Sequence, residues 1–406
     1  MPVGNIDWPD MPGIAGIELG VAQAGIKKAG RDDVLLLRLC EGASVAGVFT
    51  KNAFCAEPVK MCKKHMAAGS PRYLLINSGN ANACTGQPGW NAAQACCDAL
   101  ADLEQVGAHS VLPFSTGVIG EVLPADKIIH VLPVLLENLS EDNWARAARS
   151  IMTTDTQPKG VSIECFVAGA KVRINGIAKG AGMIKPDMAT MLAYMATDAA
   201  ITPELLQILC KRAADKSFNR ITIDGDTSTN DAFMLMASGK SQAPLINDVH
   251  SEAYRNFETA FIEASQNLAQ FIVRDGEGAS KYVEVEVRGG ATEAECLNVA
   301  YEIAHSPLVK TAFFASDANW GRLVMAIGKA DVKELDSNKV NVWLNDVALV
   351  EEGGRAASYT EEAGQAEMQK DEIRVLVDLG RGEAKESIWT SDLSHEYVRI
   401  NAEYRT

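Results

Sequence analysis

Strand-like and helix-like periodicities alternate along this chain, and that alternation narrows its fold more than any other feature. Residues 281–288 alternate cleanly, with Val283, Val285 and Val287 on one face. In 372–379, Ile373, Val375, Val377 and Leu379 do the same. Period two is the pattern of a strand with one buried face. Further strands are predicted at 33–39, 44–50, 72–76, 190–197 and 340–344. Helices are predicted from Gly89 to Gly107, over 143–152, after the capping pair Thr202-Pro203, and over 248–272. Ala93, Cys96, Cys97, Leu100 and Leu103 form the apolar face of the first of these. Leu205, Ile208 and Leu209 form the stripe of the third. Asn175-Gly176 predicts a hairpin turn inside 172–177, because Asn-Gly suits the positive φ angles of a tight turn. No repeat of fixed period occurs. The mixed order predicts an α/β (mixed α+β) layered sandwich, with a smaller α+β unit from about residue 285 onward.

Composition excludes several function classes. A chain of 406 residues that is 47% hydrophobic can bury a large core. Its apolar stretches are far shorter than the ~20 residues that cross a bilayer, and its first residues lack the basic start and apolar run of a signal peptide. The net charge of −15 comes from 53 acidic and 38 basic residues without a Lys/Arg cluster, so neither nucleic acid nor membrane is an expected partner. The nine cysteines are odd in number, contain no Cys-x-x-Cys, and place Cys96 beside Cys97. That argues against a disulfide framework or zinc site, and Cys96 and Cys97 read as small core residues. The expectation is a soluble, cytoplasmic protein.

The segment with the most chemical content is Lys179-Gly-Ala-Gly-Met-Ile-Lys-Pro-Asp-Met-Ala-Thr190. Glycines and a Pro-Asp turn deliver a threonine to the start of an apolar strand. A hydroxyl held there can attack the peptide bond in front of it, and cleavage leaves a free α-amine. With an ordinary pKa near ~8, that amine can serve as base for its own hydroxyl. An ordinary Gly-rich connection is the alternative. Ser115-Thr116-Gly117 can aim a hydroxyl and a backbone N–H at an oxyanion, or form a plain turn. Asp275-Gly-Glu277-Gly reads as a carboxylate between glycines, or as a helix C-cap and loop. Asp224-Gly-Asp226-Thr-Ser-Thr-Asn-Asp231 reads as a hydrogen-bonded turn rather than a cation site. No G-x-S-x-G elbow, Walker loop or H-E-x-x-H is present, and the six histidines are scattered.

Together these motifs resemble the ornithine acetyltransferase family, the self-cleaving glutamate N-acetyltransferases of arginine biosynthesis. Asn77-Ser-Gly-Asn-Ala-Asn-Ala-Cys-Thr-Gly86, Ser115-Thr-Gly-Val-Ile-Gly120 and Met152-Thr-Thr-Asp-Thr156 come first. The Lys179 segment, Asp224–Asp231, Asp275-Gly-Glu-Gly-Ala279, Asn319-Trp-Gly-Arg322 and Tyr397-Val-Arg-Ile-Asn-Ala-Glu-Tyr-Arg-Thr406 follow in family order. The resemblance implies a layered α-β-β-α sandwich of the aminopeptidase/ornithine-acetyltransferase kind. It implies cleavage between Ala189 and Thr190, giving an α chain over 1–189. The β chain would complete the sandwich over 190–284 and add the smaller domain over 285–406, its C-terminus returning to the active site. Thr190 would be the nucleophile, Thr116 and Gly117 the oxyanion hole, and Thr153, Lys179, Thr190, Glu277, Asn401 and Thr406 the substrate-binding residues. Lys179 can face a carboxylate and Glu277 an ammonium, as an amino-acid substrate requires.

The implied chemistry is ping-pong transfer of acetyl from N2-acetylornithine to glutamate, with no metal and no cofactor. Acetyl-coenzyme A is an open second donor, and a dimer of αβ pairs is the implied assembly. Three positions depart from the common family pattern. Ala181 stands where Ser is common, Asp187 where Asn is common, and Lys185 is an unusual choice. Each can alter the rate of self-cleavage. A related N-terminal-nucleophile aminopeptidase or amidase, with water as acceptor, is the alternative enzyme. A non-catalytic assembly protein is the alternative outside enzymes.

Overall fold

The computed structural model describes residues 2–185 and 191–403. Asp187, Ala189, Thr190 and Thr406 lie outside the described residues. The chain forms two compact units. The larger comprises Asp7–Asn219 and Asp226–Ile272; the smaller comprises Met1–Ile6, Arg220–Gly225 and Val273–Thr406.

Two sheets make the centre of the larger unit. The first is four-stranded, in the order Ile17–Ala22, Val34–Leu39, Tyr73–Asn80, Val111–Val118, with only the last pair parallel. The second is five-stranded, in the order Ser44–Phe49, Ala232–Ala237, Leu192–Thr197, Ala170–Lys179, Lys159–Val167. Leu35, Leu37, Leu74, Ile76, Leu112 and Phe114 of the first share one core with Ile177, Leu192, Tyr194, Met234 and Met236 of the second. At its centre Phe114 meets Tyr194 edge-on, with centroids 5.4 Å apart, a contact worth about 0.5–1.5 kcal/mol beyond area burial.

Helices close both outer faces. Val34, Leu36, Leu75 and Val111 point away from that core, against Ala93, Cys96, Cys97 and Leu100 of Gly86–Glu104 and Ile128, Leu132 and Leu135 of Ala125–Glu137. Because successive side chains of a strand alternate faces, near-continuous runs such as Val34-Leu-Leu-Leu serve both layers. Phe233 of the second sheet lies 5.0 Å from Phe218 and 6.4 Å from Phe261 of Glu252–Arg274, ring centre to ring centre. The result is the expected α-β-β-α layering.

The smaller unit has a seven-stranded sheet, ordered Gly354–Arg355, Val347–Glu351, Asn341–Leu344, Glu372–Asp378, Tyr282–Gly290, Ala384–Ser391, Ile221–Thr222. Val283, Val285 and Val287 are fully buried with Ile373, Val375 and Val377, against Cys296, Val299, Ala300 and Ile303 of Glu293–Ala304.

Three local expectations fail for tertiary reasons. Asn175-Gly176 is not a turn; it sits inside the strand Ala170–Lys179, and the hairpin reverses at Ala168-Gly169, where φ is +49° and +84°. Gly176 is needed for close approach instead, since a Cβ there would lie 2.8 Å from Leu268 Cδ1. Asn175 donates to the Pro12 carbonyl at 2.8 Å. Leu103 and Ile208 are exposed, and Leu206 takes the place of Ile208 in the core.

Candidate active site

In the larger unit the site begins where two parallel strands leave regular pairing. Gly79 of Tyr73–Asn80 lies opposite Gly117 of Val111–Val118, next to a register shift. Their φ angles are +101° and +135°, conformations that glycine adopts without steric cost. A Cβ on Gly117 would lie 2.3 Å from the Gly79 carbonyl carbon and 2.5 Å from Asn80 N. Thr116-Gly117 is thus the irregular end of a strand, not a plain turn.

The asparagine-rich motif is the scaffold under this pair. Ser115 Oγ donates to Asn77 Oδ1 at 2.6 Å, and Asn77 Nδ2 donates to the Asn80 carbonyl at 2.8 Å. Asn80 Oδ1 accepts from Asn82 N at 2.7 Å, and Asn82 Nδ2 reaches the Gly89 carbonyl at 2.9 Å. From the bend just before the strand Ala232–Ala237, buried Asn230 donates through Nδ2 to the Ala81 carbonyl at 2.6 Å and the Ser115 carbonyl at 2.9 Å. Buried amides this fully engaged fix the backbone that carries Thr116 and Gly117.

Lys179 ends the strand Ala170–Lys179 and donates through Nζ to Thr116 Oγ1 at 3.2 Å. Two buried carboxyls lie within electrostatic reach of it. Asp155 accepts from Lys159 Nζ at 2.7 Å through Oδ1, from Gly180 N at 2.7 Å through the same oxygen, and from Thr153 N at 3.0 Å through Oδ2. The Asp155 and Lys159 side chains are both fully buried. Burial pushes the Asp155 pKa up, but the charges of Lys159 and Lys179 and its hydrogen bonds outweigh that, holding it well below the usual carboxylate range. Asp231 behaves oppositely. Burial raises its pKa far above the usual range, with Ser228 hydrogen bonds and the Lys179 charge opposing in part. Its Oδ2 is buried without a hydrogen-bond partner among the described residues.

In the smaller unit Glu277 follows the helix Glu252–Arg274 in a tight loop, with Gly276 N bonded to the Val273 carbonyl at 3.1 Å. Buried Glu277 accepts from Asn401 Nδ2 at 2.7 Å through Oε2, so the loop and the terminal helix His395–Ala402 bring two predicted residues together.

Within the larger unit, Lys179 and Thr116 are in contact, and Thr153 joins their surroundings through Asp155. Thr190, Ala189 and Thr406 are outside the described residues. Sequence reasoning missed Asp155, Lys159, Asn230 and Asp231 as functional neighbours. The Asp155–Lys159 spacing of four could have signalled an ion pair, but no helix was predicted there to make that spacing meaningful. Among the described residues no group of three or more His, Cys, Asp or Glu could hold a metal, and no helix is long and apolar enough to cross a membrane. Cys96 is pushed up to about 12 by burial, which leaves little reactive thiolate at neutral pH.

Comparison with known proteins settles which family carries this arrangement. The ArgJ family model matches residues 18–406. The arginine biosynthesis bifunctional protein ArgJ of Pseudomonas fluorescens (strain Pf0-1) is 55% identical over 406 residues, covering 100% of both chains. The chain belongs to the ArgJ family. It is therefore an acyltransferase of arginine biosynthesis, and the hydrolase alternative is not favoured. Among solved structures, ArgJ from Bacillus halodurans is 38% identical, over 50% of this chain and 95% of that one, with a TM-score of 0.49. The ornithine acetyltransferase of Mycobacterium tuberculosis, solved with ornithine, is 33% identical over 44% of this chain and 96% of that one, with a TM-score of 0.37. Membership in the ArgJ family rests on the full-length sequence match.

Proposed function

We propose that this ArgJ-family enzyme transfers acetyl from N2-acetyl-L-ornithine to L-glutamate through an ester on Thr190, after cleaving itself between Ala189 and Thr190. The observation that carries the reading is the Lys179–Thr116 contact beside the backbone-packed Gly117. It supports a cation and a hydroxyl set next to a rigid N–H. In this reading the new α-amine of Thr190 takes the proton of its own hydroxyl as Oγ attacks the acetyl carbonyl. Thr116 hydroxyl and Gly117 N–H stabilise the oxyanion, and ornithine departs carrying that proton. Glutamate then attacks the ester through its amine, regenerating the threonine hydroxyl and leaving as N-acetylglutamate.

Lys179 takes a substrate carboxylate and Glu277, oriented by Asn401, takes an ammonium, which on acetylornithine and ornithine is the side-chain one, since the α-nitrogen is the acetyl-carrying atom. Thr153 and Thr406 complete the substrate contacts. The scheme uses no cofactor or metal. The Pseudomonas fluorescens relative is described as bifunctional, and acetyl-coenzyme A is the second acetyl donor to glutamate in this proposal. A cytoplasmic dimer of αβ pairs completes the proposal.

Incubating purified enzyme with acetylornithine, with and without glutamate, tests the transfer. N-acetylglutamate should form only when both are present. Acetate release that ignores glutamate would sink it. Thr190→Ala should migrate as an uncut, inactive chain of 43.5 kDa, whereas the native enzyme should run as two fragments of similar size.

A further inference from the structure

Within the smaller unit, the loop that presents Glu277 is gripped by the terminal helix at a place with no room to slip. Gly278 has φ +70°, and a Cβ there would lie 2.5 Å from Tyr397 N and 2.6 Å from Ser394 Oγ. Ser394 does two jobs. Its Oγ caps the helix His395–Ala402 by accepting from Tyr397 N at 3.2 Å, and it donates to the Gly278 carbonyl at 2.7 Å. One turn of helix further on, Asn401 Nδ2 is shared between the Tyr397 carbonyl at 3.0 Å and Glu277 Oε2 at 2.7 Å. The Tyr397 hydroxyl is itself fixed, donating to Asp224 Oδ2 at 3.1 Å.

The far side of the loop is held as firmly. Buried Asp392 accepts from Ser280 N at 2.8 Å, Ser280 Oγ at 2.5 Å and Lys281 N at 3.0 Å. Buried Lys310 donates to Thr390 Oγ1 at 3.0 Å and to the Ser391 carbonyl, within electrostatic reach of Asp392 and Asp224. Ser394 is therefore tied on one side to the Glu277 loop and on the other to the helix that supplies Asn401. Tyr397 ties the same helix to the segment Arg220–Gly225.

We infer that Ser394 and Tyr397 are positioning residues, which hold Asn401 against Glu277 and so set the affinity for the side-chain ammonium of ornithine and acetylornithine without touching substrate. The inference rests on the proposed role of Glu277. A merely structural helix cap would predict lower stability with no selective effect on binding. A positioning role predicts a change confined to amino-acid affinity, because self-cleavage and acetyl-ester formation do not use the Glu277–Asn401 pair as their reacting groups.

The test compares Ser394→Ala, Ser394→Thr, Tyr397→Phe and Glu277→Gln in the full-length protein. Four measurements are made: KM and kcat for acetylornithine, ornithine binding by calorimetry, fragment pattern on a gel, and melting temperature. Losing one hydrogen bond in Tyr397→Phe, or two in Ser394→Ala, should weaken affinity about three- to tenfold. Ser394→Ala and Tyr397→Phe should raise the acetylornithine KM and ornithine Kd by that factor, with kcat and self-cleavage unchanged. Ser394→Thr, which keeps the hydroxyl, should restore both. Unchanged affinity in Ser394→Ala and Tyr397→Phe, alongside weakened Glu277→Gln, overturns the inference and leaves the Glu277 role intact. Unchanged affinity in Glu277→Gln removes that role and the inference with it. Ornithine binding reads the inference even if acetyl transfer to glutamate is not found.

Discussion

Lys179 Nζ lies 3.2 Å from Thr116 Oγ1, joining the end of one central strand to a residue 63 positions earlier in the facing sheet. The contact couples the cation proposed to hold a substrate carboxylate to the hydroxyl proposed to stabilise the oxyanion.

Replacing Lys179 with Met keeps much of the side-chain volume and removes the charge. Hydrogen bonds to charged groups contribute about 1.5–3 kcal/mol, so kcat/KM for acetylornithine should fall about ten- to a hundredfold. Steady-state kinetics on cleaved enzyme measure it; a change under twofold would remove Lys179 from the site.

Gly117→Ala places a Cβ 2.3 Å from the backbone of Gly79 at a φ that non-glycine residues rarely adopt. The strand end must shift, and the oxyanion donor with it. Activity should drop about 10²–10³-fold, with the α/β circular dichroism retained. Wild-type turnover in this variant would exclude the Gly117 N–H.

Asp155→Asn removes the buried carboxylate charge that faces the fully buried Lys159 ammonium, and should destabilise the fold by about 3–5 kcal/mol in urea. The pH dependence follows from the sign of the shift. The folded pKa of Asp155 is depressed, so its contribution is complete above its ordinary value of 3.8. It is lost as pH falls below that value toward the folded one. The wild-type advantage should hold from pH 7 to about pH 4 and shrink under more acidic conditions. An advantage that shrinks between pH 7 and 5 would contradict the assignment.

Asp231 has the reverse sign. The unfolded chain ionises it near its ordinary value of 3.8, whereas burial raises the folded pKa well above that value. The folded state then binds more protons, and stability falls as pH rises above about 4. Asp231→Asn removes that penalty. Urea midpoints of the variant should fall less steeply than those of wild type between pH 4 and 8; parallel slopes would show Asp231 ionised in the native protein.

What was legible in the sequence was legible for local reasons. Val283, Val285 and Val287 alternate because a strand turns every second side chain to one face, and they are fully buried as that pattern predicts. Cys96 and Cys97 fall on a helical face and are core residues. Asn175-Gly176 misled for the same reason it was read. Its preference for a turn is local, and pairing of the strand on both sides with packing under Leu268 outweighed it. Leu103 and Ile208 followed the helical period but face solvent, because period alone does not say how wide the covered stripe is.

The sequence by itself determined the alternation of elements, the layered class, the order of motifs and, through them, the ArgJ family. Those are carried by residue type and spacing along the chain. Only the tertiary structure decided that the asparagine motif braces Thr116-Gly117, that Asp155 is the hub joining Thr153, Lys159 and Gly180, and that Asn230 reaches the Ala81 and Ser115 carbonyls beside the pair. It also decided that Ser394 joins the Glu277 loop to the terminal helix. Each of these is a contact between residues distant in sequence. The physical reason is desolvation: burial makes an unpartnered polar group costly, and which partner it finds depends on how the sheets and helices pack.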